Sequence, residues 1–336
     1  MARAAAVSAA ELGLITADEL EKRLSGTMDT VDKMQKWHGH LYNWYRTDTL
    51  EVMRPRYVST VDSGNFCACL ITGSMALKKY GREDTAARLE RAARETDFSA
   101  LYDAERKLFR IGYDGDACEL SNSWYDLLAS EARLTSLIAV ALGSVKPEHW
   151  FKLGRQMAPV LGGTLVSWSG TMFEYLMPVL FTGAVPDTLL YNSCLNAVKA
   201  QKRQRYGGVW GISESGYYAF DRNMYYQYRA FGLQRLSVMS CRERSRVISP
   251  KSTMHGLAFD PKGACENIRR LTGEGGLGPY GMYEALDYTE GRSNPEKDHA
   301  VVQSFMAHHQ GMSMCAIANA LCDGAIEKYF MSYPAM

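Results

Sequence analysis

The chain reads as an all-α protein on three observations. Apolar residues recur at helical spacing through most of its 336 residues, strand evidence is thin, and no βαβ alternation or Gly-rich phosphate loop interrupts the pattern. Helical hairpins alternating with polar, aromatic loops imply an array or ring of helices whose loops build a site at one end. No repeat of fixed length marks an ordinary solenoid, and no proline-rich linker divides the chain, so residues 1–336 are read as one domain.

From Ala4 to Tyr42 the periodicity fits two helices, the second opened by Thr16 with Asp18 and Glu19 in its first turn. Asn65–Tyr80 and Glu83–Thr96 form a helical pair split at Gly81, with Asp62 placed to cap the first of them or to bind substrate. Ser123–Leu142 reads as one long helix stopped by Gly143, which would put Asp126 and Arg133 on nearly the same face. Val185–Arg205, Gly263–Thr272 and Val301–Leu321 continue the series, and Leu108–Tyr113 is a run that could pair locally as strand. The intervening segments 55–65, 161–170, 207–220 and 276–288 are long and rich in Trp, Tyr, Gly and Ser, a composition of functional loops.

Composition narrows the partners. With 38 basic and 37 acidic residues the formal charge is +1, too little to gather nucleic acid or an anionic surface, so a neutral polar ligand fits better. The eight cysteines include no CxxC pair and none at zinc-ligand spacing from a histidine; they read as buried, reduced thiols. Residues 1–25 lack the apolar stretch of a secretory signal and no segment approaches a membrane span, so a soluble, cytoplasmic domain is expected. No metal or cofactor is expected.

The chain's 20 tyrosines and six tryptophans crowd into the loops beside carboxylates. Sugar rings present apolar C–H faces and polar edges, so a glycan cleft pairs aromatic platforms with acids, amides and Arg. Three loop acids stand out: Glu174, Glu214 and Glu284. Retaining glycosyl transfer needs one carboxyl to protonate the departing oxygen and a second to attack the anomeric carbon. Equally, a lone Glu can cap a helix or pair with Arg. His308 and His309, being adjacent, face different ways and make no two-ligand metal site; one is expected to touch substrate and the other to pack.

Eight ordered segments carry a resemblance: 39–45 (GHLYNWY), 55–65 (PRYVSTVDSGN), 125–133 (YDLLASEAR), 167–178 (SWSGTMFEYLMP), 210–215 (WGISES), 226–232 (YQYRAFG), 283–288 (YEALDY) and 304–312 (SFMAHHQGM). Together they resemble the glucoamylase-like domain of bacterial cyclic β-1,2-glucan synthases. The resemblance implies an (α/α)6 toroid, here with an incomplete first hairpin, whose loops form a glucan cleft. It implies cleavage and transfer of β-1,2-glucan, by retaining transglycosylation in a synthase or endo-hydrolysis in isolation. Glu214 (acid/base) and Glu284 (nucleophile) would be the catalytic pair, with Asp62, Trp168, Glu174, Tyr217, Arg229, Tyr283, His308 and Gln310 lining the subsites. The synthases add glycosyltransferase and phosphorylase-like regions at the inner membrane, so the chain is expected to be a fragment of a larger protein. A non-catalytic β-glucan-binding module is the alternative; a phosphorylase would need an anion pocket, and no cluster of Arg, His and Gly proposes one.

Overall fold

The computed structural model describes residues 1–239, 245–292 and 297–336. It is helix-rich, and the chain divides into two compact units: 1–154 with 324–336, and 155–323. Seven small antiparallel sheets of two or three strands accompany the helices among the described residues, more strand than an all-α reading allowed. No described helix is long and apolar enough to cross a membrane.

The first unit opens with α1 (Ala2–Glu11) and α2 (Ala17–Lys33). Thr16 caps α2 by accepting from the Glu19 amide, and Leu20, Leu24, Met28 and Val31 form its buried face. The helical reading to Tyr42 overshoots, because Lys36–Trp37 and His40–Leu41 form a hairpin. In α3 (Thr60–Lys79) small and apolar residues bury nearly all faces, as a central helix requires. It begins five residues before Asn65, and its cap is Ser59, whose hydroxyl accepts from the Asp62 amide; Asp62 itself sits exposed in the first turn. Next come α4 (Glu83–Arg94), α5 (Arg133–Ala141) and the short α6 (Glu148–Lys152).

The expected long helix from Ser123 is therefore only its second half. Trp124–Tyr125 instead pairs with Leu108–Arg110, which also pairs with Tyr102–Asp103, so distant partners override the local apolar spacing. Asp126 falls outside α5, and the shared-face argument for Asp126 and Arg133 lapses. Where α3 meets α5, a Cβ on Gly64 would land on the Thr135 side chain and lie 2.9 Å from its Cα. Gly64→Ala is therefore expected to lower stability by about 1–3 kcal/mol through overpacking, read as a lower urea midpoint at unchanged slope.

The second unit holds α7 (Met172–Leu176), α8 (Val179–Thr182), α9 (Leu189–Arg203), α10 (Pro250–His255), α11 (Pro261–Leu271) and α12 (Ala307–Leu321). Its three-stranded sheet places Ala285–Asp287 between Val247–Ile248 and Ala300–Val302, so the helix expected from Val301 starts only at Ala307. Returning to the first unit, α13 (Ala325–Met331) packs on α1 and α3, where the Tyr80 and Tyr329 hydroxyls both donate to Glu11. Cys67, Cys69, Cys194 and Cys315 are buried as expected, whereas Cys118 and Cys265 are exposed; Cys241 lies outside the described residues.

Candidate active site

A laced turn in the second unit carries Glu214. The Trp210 amide donates to Asn267 Oδ1 at 3.1 Å and its carbonyl accepts from Asn267 Nδ2 at 2.8 Å, tying the turn to α11. Gln201 on α9 brackets Ile212, accepting from its amide and donating to its carbonyl. Ser213 Oγ accepts from the Phe173 amide in α7. Beyond Glu214, Ser215–Gly216 pairs with Tyr228–Arg229. With both flanks fixed, Ser213 and Ser215 are buried while Glu214 stays half-exposed.

Glu284 stands just before the central strand of the three-stranded sheet and is 2 % exposed. Its Oε1 accepts from the Gly216 amide at 3.0 Å and its Oε2 meets His309 Nδ1 at 2.8 Å. On the far side of the imidazole, Nε2 is contacted by the Lys251 ammonium and lies 3.1 Å from the Tyr228 hydroxyl. Lys251 is buried on α10, its Nζ 5.3 Å from the Phe173 ring centroid. Since an ammonium only donates, the nitrogen facing it accepts; the His309 proton is then on Nδ1 and points to Glu284 as a carboxylate.

The electrostatics follow from burial. Lys251 is pulled down to about 8 by desolvation, against the opposing fields of Glu214 and Glu284. Burial, with Lys251 adding to it, holds His309 down to about 2, a neutral ring. Burial pushes Glu284 up, and the Gly216 N–H and Lys251 work against it. His255, one helical turn from Lys251, is buried with neither ring nitrogen hydrogen-bonded and is held down to about 3.

The remaining expected residues fall in different places. Glu174 is buried and closes a capping box at the start of α7, its oxygens accepting from Ser167, Ser169 and Thr171; the plain structural role applies to it, and its carboxylate faces the loop. Tyr217 is buried with Val247, Ala285 and Val302 as part of the core, with the Arg292 guanidinium 5.0 Å from its ring. Trp168 is 39 % exposed, and Arg229 is exposed with its guanidinium donating to Gln227. Tyr283 packs on Phe305, and Gln310 donates to the Met282 carbonyl. The histidines divide as expected: His308 is exposed and His309 buried. Asp62 belongs to the first unit.

Around the turn, Tyr218, Phe220, Tyr225, Tyr226 and Tyr228 of residues 217–228 all expose their rings, and Tyr217, Tyr218, Phe220 and Tyr226 share an open cavity with residues 299–304. Sequence reasoning missed Lys251, His255 and Tyr228. Pro250 stands at the first turn of α10, but nothing local announces that the adjoining lysine points inward. Chemically, the arrangement offers one accessible carboxyl, Glu214, on a rigid turn beside flat aromatic surface. Glu284 is 2 % exposed with both oxygens engaged, so the nucleophile role expected of it would require it to leave those partners.

Residues 123–334 match the family model described as "Glycoamylase: Putative glucoamylase". The chain is 32% identical, over 98% of its length, to the cyclic β-(1,2)-glucan synthase NdvB of Rhizobium meliloti (strain 1021), and spans 16% of that relative. The alignment runs to 460 residues, longer than the chain itself, so the relative carries residues within it that this chain lacks. Among solved structures it is similar to an endo-β-1,2-glucanase from Chitinophaga pinensis in complex with sophorotriose and glucose (TM-score 0.80, 18% identity, 99% of this chain and 83% of that one). It is also similar to a mutant endo-β-1,2-glucanase from Talaromyces funiculosus in complex with β-1,2-glucan (TM-score 0.74, 13% identity, 98% and 74%).

Proposed function

Because the chain belongs to this glucoamylase family, we propose that it is a glycoside hydrolase or transglycosylase acting on β-1,2-linked glucan, built as a single (α/α)6 ring of helices. The observation that carries this reading is Glu214: a half-exposed carboxyl on a turn fixed from three helices, next to a hairpin of exposed tyrosines. Tyrosine faces match the C–H faces of glucose, and Glu214 is placed to protonate a glycosidic oxygen. The names of the similar proteins supply the linkage. In a full-length synthase, glycosyltransferase and phosphorylase-like regions at the inner membrane would act on the same glucan.

The role of Glu284 bears on retention versus inversion. Attack on the anomeric carbon would require it to leave both Gly216 and His309 and become exposed, whereas direct displacement by water leaves that buried pair intact and passes the water's proton to a second carboxylate across the sugar from Glu214. Purified chain incubated with linear β-1,2-glucan is therefore expected to give short linear products whose new anomeric centre is inverted, followed by NMR and mass spectrometry. Cyclic or redistributed chains with retained β-configuration would overturn this assignment and restore Glu284 as the nucleophile. A folded sample that binds the glucan and yields no product would favour the non-catalytic module.

A further inference from the structure

Lys251 is the group in this unit whose burial the proposed chemistry does not yet use. It is 3 % exposed, and the groups facing it are His255 on its own helix, His308 and His309 from α12, the Phe173 ring from α7, and the carboxylates Glu214 and Glu284 from their loops. A buried ammonium is kept only where paired, and the two carboxylates are the opposite charges in that list. The hydrogen bonds run in one direction from it: Lys251 Nζ to His309 Nε2, His309 Nδ1 to Glu284 Oε2, and the Gly216 amide to Glu284 Oε1. Gly216 is two residues from Glu214, on the strand that fixes the turn.

We propose that Lys251 is a positioning residue for Glu214: its ammonium sets the His309 tautomer, His309 orients Glu284, and Glu284 pins the Gly216 backbone and so the turn presenting the acid. This rests on the reading of Glu214 as the acid, but the relay itself is observable without any substrate. The ordering also explains why a lysine suits the position. A neutral apolar residue would leave His309 Nε2 facing only the Tyr228 hydroxyl, which both donates and accepts, and the imidazole would no longer be committed to donating toward Glu284. Loss of the Lys251 proton, which burial places at about pH 8, removes the same obligation in the wild-type protein.

Two measurements test this. In the first, ring 15N shifts of His309, assigned with a His309→Gln sample, are followed in the wild-type chain from pH 6 to 9.5. The expected result is a single Nδ1-protonated tautomer at pH 7 that gives way with a midpoint near 8, and a mixed tautomer at all pH values in Lys251→Met. In the second, kcat on linear β-1,2-glucan is expected to fall roughly 100-fold in Lys251→Met with KM within about twofold, since a displaced acid costs turnover more than binding. The alkaline limb of the wild-type pH profile should disappear with it. A wild-type His309 that holds one tautomer through pH 9.5, or a Lys251→Met protein that keeps the wild-type tautomer and pH profile, overturns the proposal. If the wild-type chain turns over no glucan, the function reading fails while the wild-type titration still decides the relay.

Discussion

Glu214→Gln should abolish turnover of β-1,2-glucan while leaving glucan binding almost unchanged. The side chain is half-exposed, and Ser213, Ser215 and Gly216 hold the turn through their own contacts, so replacing a carboxyl by an amide of the same shape leaves the fold in place. What the amide lacks is a transferable proton, and general acid catalysis supplies typically 10²–10⁴-fold. Titration of the variant with a linear glucan by calorimetry, beside its kcat, is the comparison to make. Unchanged melting temperature, a Kd within a few-fold of wild type and a kcat lower by about three orders of magnitude support the enzyme. A variant that keeps its turnover removes Glu214 from the chemistry. The same substitution at Glu284 should behave differently, because there the amide must replace a buried acceptor of two hydrogen bonds, and stability falls together with activity.

That contrast between the two glutamates was not legible in the sequence. Both sit in aromatic loops with a Gly within three residues, and local pattern does not separate a buried carboxylate from an accessible one. What separates them is long-range: Glu284 is taken inside by a strand that pairs on both edges, and its partners Gly216 and His309 are 68 and 25 residues away. Lys251 was invisible for the same reason, since a lysine in a short helix is ordinarily solvated. Where the information is local the reading held. Thr16 and Glu19 mark the start of α2, and the spacing of Leu20, Leu24, Met28 and Val31 gives its face. Adjacent His308 and His309 must diverge on a helix, and one is indeed exposed and the other buried. Boundaries failed where a β-pair competes with helical spacing, as at Trp124–Tyr125 and Ala300–Val302.

Glu174→Ala is expected to destabilise the protein strongly without acting on the chemistry. The carboxylate is 4 % exposed and accepts from Ser167 Oγ, from the amide and hydroxyl of Ser169, and from the amide and hydroxyl of Thr171, at 2.8 to 3.0 Å. Alanine would leave those donors facing a cavity. Each buried donor left without an acceptor costs about 1–3 kcal/mol, so the loss exceeds the roughly 1 kcal/mol of an ordinary exposed cap. A fall in melting temperature on the order of 10 °C should follow. The loop held by this carboxylate also carries Trp168, whose carbonyl accepts from Ser237 and Met239, so KM for glucan is expected to rise only as far as that ring is loosened. Scanning calorimetry and steady-state kinetics on the same sample separate the two roles. A melting temperature within a degree of wild type, combined with a large rise in KM, would place Glu174 against the sugar, as the family resemblance implied. A large loss of stability with KM nearly unchanged below the melting transition makes it the clamp that shapes the loop. The physical reason to expect the clamp is saturation: a carboxylate that already accepts five hydrogen bonds from its own loop has little capacity left for a ligand.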